Sequence, residues 1–204
     1  MNSDIRPDLA GLLSGAPLAA NPGYGAELAW FESALGPGGP ATAVIEVGCG
    51  TGATAARLTH AGYTVVGVEP SPVLLDIARH EAPDAIFAER DLHDLDGLHP
   101  VGSRFAGAVS LFGWQGQPRA QVAGMLSAIS QQLKPGGALL MGMLEGDCDL
   151  EPRRYLDSLI PFTAYPREQL RVVLSRTGFT SIEISVYEGQ APGSYVYARC
   201  RSRA

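Results

Sequence analysis

Cysteine, charge of one sign and long apolar runs are all scarce in this chain, and each scarcity removes a class of protein. Three cysteines occur in 204 residues. Cys49, Cys148 and Cys200 make no C-x-x-C pair and no even framework, which argues against structural zinc or disulfides and for a reducing compartment. The 15 basic and 21 acidic residues leave a net charge of −6, so nothing marks a nucleic acid or an anionic membrane as partner. No apolar stretch approaches the ~20 residues needed to span a bilayer. Residues 1–20 hold Asp4, Arg6 and Asp8, then an apolar patch broken by Gly15 and Pro17, without the basic start of a secretory signal. A cytoplasmic protein acting on a small or carrier-bound molecule is expected. The four histidines make no spaced set with cysteine or carboxylate, so no metal site is expected.

What the chain does have is the run Val44-Ile45-Glu46-Val47-Gly48-Cys49-Gly50-Thr51-Gly52, followed by Glu69. A β-rich stretch stops at three glycines on alternate positions, and helix-forming composition (Ala53 to Ala61) starts at once. Glycines so spaced let a strand turn sharply into a helix and let a ligand approach the backbone. Glu69 ends a second apolar strand, about 20 residues on, where a carboxylate can take hydrogen bonds from a ribose diol. This is the pattern of a nucleoside-cofactor site. Gly48, Gly50 and Ala53 also satisfy the G-x-G-x-x-G/A dinucleotide fingerprint, so the local pattern fits NAD as well as S-adenosylmethionine. Cys49 reads as a small residue filling the turn.

The rest of the chain alternates strand and helix. Strands are expected near 42–48, 63–69, 85–88, 105–111 and 138–144, with helices over 52–61, after Pro72, and over 118–133, where Val122, Met125, Leu126, Ile129 and Leu133 make one face. Leu28, Phe31 and Leu35 mark a helix before the first strand, over 24–35. Pro166 opens a last helix, and two strand-like runs, 179–186 and 194–201, follow with a connection too short for a helical crossover. Chain length suits one domain, 24–204, with 1–23 an arm or lid. The expected fold is α/β, a doubly wound seven-stranded sheet of order 3-2-1-4-5-7-6. Its strands are mostly parallel with a C-terminal antiparallel strand, and helices cover both faces.

The ordered set Glu46 to Gly52, Glu69, Asp91-Leu92, Leu133-Lys134-Pro135-Gly136-Gly137 and the terminal strand pair resembles the class I S-adenosylmethionine-dependent methyltransferases, of the bacterial small-molecule type. The resemblance covers residues 42–201. It implies transfer of a methyl group from S-adenosylmethionine to an oxygen, nitrogen or carbon acceptor by in-line displacement. It also implies roles: Gly48, Cys49, Gly50 and Gly52 as the cofactor loop, Glu46 toward the amino-acid moiety and Glu69, followed by Pro70, on the ribose. Asp91 would take the adenine amino group, with Leu92 on the ring face. Ser110 and Phe112, at the end of strand four, would line the transfer centre. One departure is Ala106, where the family often has Asp. A binding protein that no longer transfers methyl groups, and an NAD(P)-dependent oxidoreductase, are the alternatives.

Methyl transfer from a sulfonium needs the nucleophile about 3–3.5 Å from the methyl carbon and aligned with the leaving sulfur. No general base is signalled, so catalytic residues are not assigned. Substrate-side candidates follow from position: Tyr24 opening the first helix, Phe112 and Trp114 beyond strand four, Glu145 beyond strand five, and Arg153 and Tyr155 between strand five and the last helix. His93 and His99 flank a loop on the adenine side and read as surface residues. Lack of an Asn/Asp-Pro-Pro-Tyr/Phe motif weighs against a nucleic-acid methylase. No helix carries a self-complementary apolar stripe that would indicate an oligomer.

Overall fold

The computed structural model describes residues 21–99, 104–155, 158–188 and 194–203, the side chains of residues 154, 155 and 158 aside. The N-terminal residues 1–20, expected to form an arm or lid, lie outside the described residues. The chain runs α1 (Tyr24–Leu35), β1 (Ala43–Val47), α2 (Ala53–His60), β2 (Thr64–Glu69), α3 (Pro72–Glu81) and β3 (Ile86–Glu89). It continues through β4 (Phe105–Leu111), α4 (Arg119–Gln132), β5 (Leu133–Leu144), β6 (Cys148–Tyr155), β7 (Ser158–Ala164), α5 (Arg167–Arg176), β8 (Phe179–Tyr187) and β9 (Tyr195–Ser202).

Seven strands form one sheet of order β3-β2-β1-β4-β5-β9-β8. All adjacent pairs from β3 to β5 are parallel, while β9 runs antiparallel to both β5 and β8. This is the expected order once the two terminal strands are renumbered for a hairpin that the sequence did not disclose. That hairpin, β6–β7, is a separate two-stranded sheet inserted after β5. Prolines 152 and 161 stand opposite each other in it. A two-stranded sheet has only edge strands, where a missing N–H costs little, so the prolines that hid these strands are tolerated.

Alternation along each strand sorts side chains between two helical layers. Ala43, Ile45 and Val47 join Val122, Met125, Leu126 and Ile129 of α4 and Leu170 and Leu174 of α5 in one core. Val44, Val109, Leu140 and Tyr197 join Tyr24, Leu28 and Phe31 of α1 and Ala55 and Leu58 of α2 in the other. Strands buried on both sides explain why β1 and β4 are almost uniformly apolar. The same alternation sends Glu46 toward the α1–α2 side. β5 starts directly at Leu133, earlier than expected, and its pairing with β4 shifts register between Phe105 and Gly107.

Ser71 caps α3 by backbone position, with Pro72 in the first turn, but its hydroxyl makes no capping bond. Among the described residues no helix is long and apolar enough to cross a membrane.

Candidate functional site at the carboxyl edge of the sheet

The order of winding reverses between β1 and β4: β2 and β3 are added on one side of β1, β4 and β5 on the other. In open α/β sheets ligands bind outside the carboxyl ends of strands at such a switch point. The glycine loop lies there. Gly48, Gly50 and Gly52 all have left-handed φ, of 77°, 53° and 83°, which only glycine adopts freely. Two of them are also packed against backbone or side chain. A β-carbon on Gly113, in the turn after β4, would stand 2.6 Å from the Gly48 carbonyl oxygen, and one on Gly52 would stand 3.0 Å from Ala78. At Gly50 nothing lies within 4 Å of that position, so the middle of the loop faces open space.

The loop's N–H groups are nearly all engaged. Gly48 and Cys49 both donate to the Val68 carbonyl at 2.8 and 3.1 Å, and Gly52 donates to Cys49. Gly50 donates to Glu69 Oε2 at 3.2 Å, while Ser71 N–H donates to Glu69 Oε1 at 3.1 Å. Glu69 therefore bridges the loop and the start of α3, which fixes its carboxylate while leaving lone pairs free. Burial pushes its pKa up, and the two N–H donors partly counter that.

Glu46 is 3% exposed, and its Oε2 has no hydrogen-bond partner. Burial drives its pKa up to about 8, against the opposing pull of Thr54 and Ala55, and the Glu69 charge adds to the rise. Thr54, in the first turn of α2, also lies 3.3 Å from the buried Tyr24 hydroxyl. Tyr24, Thr54 and Glu46 thus form a polar column rising from the sheet to α1. Thr54 escaped notice in the sequence because a threonine opening a helix is ordinary.

The remaining candidates divide by what their side chains touch. Asp91 is exposed and Leu92 buried. Both line a cleft of about 310 Å³ beside β3, together with His93, Gln117 and Gln121. Pro70 is half-buried between Glu69 and Ser71. Phe112 is buried, with an uncommon positive φ of 63°, and its ring meets Tyr195 and Tyr197 edge-on at 5.9 and 5.7 Å. A bulky residue held in that region is strained and commonly marks a functional turn.

Several placements differ from expectation. Trp114 is 0% exposed in the α4-side core, and its indole N–H donates to the Gly142 carbonyl. It packs the sheet and presents no ring to a substrate. Ser110 spends its hydroxyl on the Val47 carbonyl at 2.8 Å, tying β4 to β1. The Cys49 thiol turns away beneath β2, close to Gly67, and burial pushes its pKa well up. Glu145 is held by Arg167 through two bonds of 2.7 and 2.6 Å, which lowers its pKa. Arg153 stacks on Phe162 within the β6–β7 hairpin, where Tyr155 ends β6. Gln115, unremarked in the sequence, joins the turn after β4 to the hairpin. Its amide bonds Leu144 on both sides and the Thr163 carbonyl, and Thr163 N–H donates to its backbone. Among the described residues no cluster of three metal-ligating side chains occurs.

Comparison with known proteins agrees with this layout. Residues 44–137 match the model of a family described as a methyltransferase domain. The chain is 27% identical over 103 residues to dTDP-3-amino-3,4,6-trideoxy-alpha-D-glucopyranose N,N-dimethyltransferase of Streptomyces venezuelae, covering 50% of this chain and 42% of that protein. It is 35% identical over 68 residues to magnesium-protoporphyrin O-methyltransferase of Rhodobacter capsulatus, covering 33% and 30%. The chain thus matches less than half the length of these curated relatives. In fold it is similar to a TehB-like SAM-dependent methyltransferase from Corynebacterium glutamicum, with a TM-score of 0.68 at 20% identity over 99% of this chain and 100% of that one. Residues 44–137 thus resemble a methyltransferase domain, and the fold of the chain is similar to that of solved SAM-dependent methyltransferases.

Proposed function

We infer that this protein transfers a methyl group from S-adenosylmethionine to a small-molecule acceptor. The observation that carries this reading is the electrostatics of the glycine loop. A pyrophosphate-binding loop offers free N–H groups to an anion. Here the N–H groups of Gly48, Cys49, Gly50 and Gly52 already have protein acceptors, and two carboxyl groups, Glu46 and Glu69, stand beside the loop. A pyrophosphate would find these four N–H groups already engaged, with two carboxyl groups beside them. S-adenosylmethionine carries an ammonium and a sulfonium, which suit the same surroundings.

The residues fit the cofactor part by part. The unpartnered Glu46 oxygen suits the amino group, the Gly50 gap suits close passage along the backbone, and Glu69 suits the ribose diol. Asp91 and Leu92, lining the cleft after β3, suit adenine. When bound, S-adenosylmethionine supplies an electrophilic methyl on a good leaving group. The protein's part is to orient that group and shut out water. Tyr24, held by Thr54, closes the α1 side, while Phe112 and Gly113 form the turn beneath the acceptor. No general base is assigned, since a neutral amine needs only orientation.

Residues 24–204 are read as one cofactor-binding domain. A small-molecule acceptor, rather than nucleic acid or a membrane lipid, fits the acidic composition, and a cytoplasmic location fits the dispersed cysteines. The test is calorimetric titration with S-adenosylhomocysteine, NADH as comparator, repeated on Glu69→Ala. Micromolar binding of the former alone, lost in the variant, is expected. Binding of NADH instead would overturn the reading.

A further inference from the structure

Resting on that reading, we propose that Tyr197 orients the methyl acceptor, and that the acceptor is an uncharged aromatic ring bearing a hydrogen-bond-accepting atom. Tyr197 is 0% exposed and its hydroxyl has no partner. Native structures rarely leave a buried hydroxyl unpaired, because its desolvation is not compensated. Its position makes the omission informative. Tyr197 pairs with Gly142 across β5–β9 and with Ser185 across β8–β9, and its ring fills the space left by the missing side chain of Gly142. That same Gly142 carbonyl accepts Phe112 N–H. The Tyr197 ring therefore backs the Gly142 segment that also anchors the turn after β4, near the carboxyl end of β5.

The surroundings define the ligand. The Tyr197 ring meets Phe112 and Tyr187 edge-on at 5.7 and 5.8 Å, and Phe112 meets Tyr195 in the same way at 5.9 Å. Tyr187 and Tyr195 are half-buried and form the outer side of this group. Edge-to-face packing of this kind accepts a further ring. Glu27, the buried carboxylate of this cluster, is already paired with Arg199 and accepts from Tyr187, so it is not free to hold an ionic acceptor. Burial holds the Tyr197 hydroxyl protonated far above the usual tyrosine range, so it serves as a donor and not as a base. It is a positioning residue.

The test uses the full chain loaded with S-adenosylhomocysteine, with phenol, toluene, cyclohexanol and tetramethylammonium as probes in saturation-transfer NMR. Phenol is expected to bind best, and Tyr197→Phe to weaken phenol about fivefold, the share of one neutral hydrogen bond. The melting temperature of the variant should hold or rise, because an unpaired buried donor is removed. A purely structural Tyr197 would leave phenol binding equal in wild type and variant. Equal phenol binding by wild type and variant, no phenol binding, or preference for tetramethylammonium would overturn the proposal. Calorimetry with S-adenosylhomocysteine on the same samples separates the two failures. If it binds and phenol does not, only the acceptor inference falls; if it does not bind, the methyltransferase reading falls with it.

Discussion

Glu27 and Arg199, 172 residues apart, form a two-pronged ion pair with bonds of 2.7 and 2.9 Å. Glu27 is 0% exposed on α1, and Arg199 projects from β9 over the Trp30 ring. Tyr187 donates a third bond to the same carboxylate at 2.9 Å. The pair fastens α1 to β9, and so helps fix where Tyr24 meets Thr54 at the start of α2.

Removing one partner leaves a buried charge. Arg199→Met should destabilise the fold by about 3–5 kcal/mol, more than Glu27→Gln, and the double variant should recover much of the loss. Urea denaturation of the three variants checks this. Equal costs for both single changes, summing in the double, would mean the pair is not coupled.

Stability should depend on pH through Glu46. Its folded pKa of about 8 lies above the ordinary 4.5, so the folded state holds a proton that the unfolded chain releases. The stabilisation from that proton is fully present below about pH 4.5 and declines as pH rises to about 8, by a few kcal/mol in all. Glu69, also raised, acts in the same direction. Denaturation curves of wild type and Glu46→Gln between pH 5 and 8 should diverge, the variant showing the shallower fall.

The same proton bears on binding. If the Glu46 carboxylate engages an ammonium, binding of S-adenosylhomocysteine near pH 7 should release part of a proton. Titration in buffers of different ionisation enthalpy should then give different apparent heats, and Glu46→Gln should erase the difference. Identical heats in wild type would remove Glu46 from cofactor recognition.

Gly113→Ala should cost affinity as well as stability. Its new methyl would press on the Gly48 carbonyl, backbone against backbone, at an expected 1–3 kcal/mol. Gly124→Ala, inside α4 with open space around it, should instead be neutral or stabilising by up to about 1 kcal/mol. Thermal melts with and without S-adenosylhomocysteine distinguish the two.

Thiol chemistry should be silent in the native protein. Cys49, Cys148 and Cys200 are all buried and free, and burial raises Cys200 to about 12 and Cys49 well above its usual value. Ellman's reagent should detect three thiols only after denaturation. A fast native phase would show that one of them reaches solvent.

Local chemistry was legible in the sequence wherever a residue type is forced by backbone. Glycines 48, 50 and 52 must turn a strand into a helix, and Glu69 must end β2, because chain order alone places both at strand ends. The sheet order was legible for the same reason, since crossover length distinguishes parallel from antiparallel return. Direction of a side chain was not. Trp114 and Phe112 lie two residues apart beyond β4, yet one enters the α4-side core and the other the α1 side, a choice set by the turn at Phe112 and by Gly142 behind it. Prolines 152 and 161 concealed the β6–β7 hairpin, because their tolerance depends on both strands being edges. Glu27 and Tyr197 were invisible as special residues. Their roles arise from partners far away in the chain: Arg199 on β9 for Glu27, and Gly142 and Phe112 for Tyr197. Sequence by itself determined which backbone turns were possible and in what order; only tertiary packing decided which polar groups ended up buried, paired or left open.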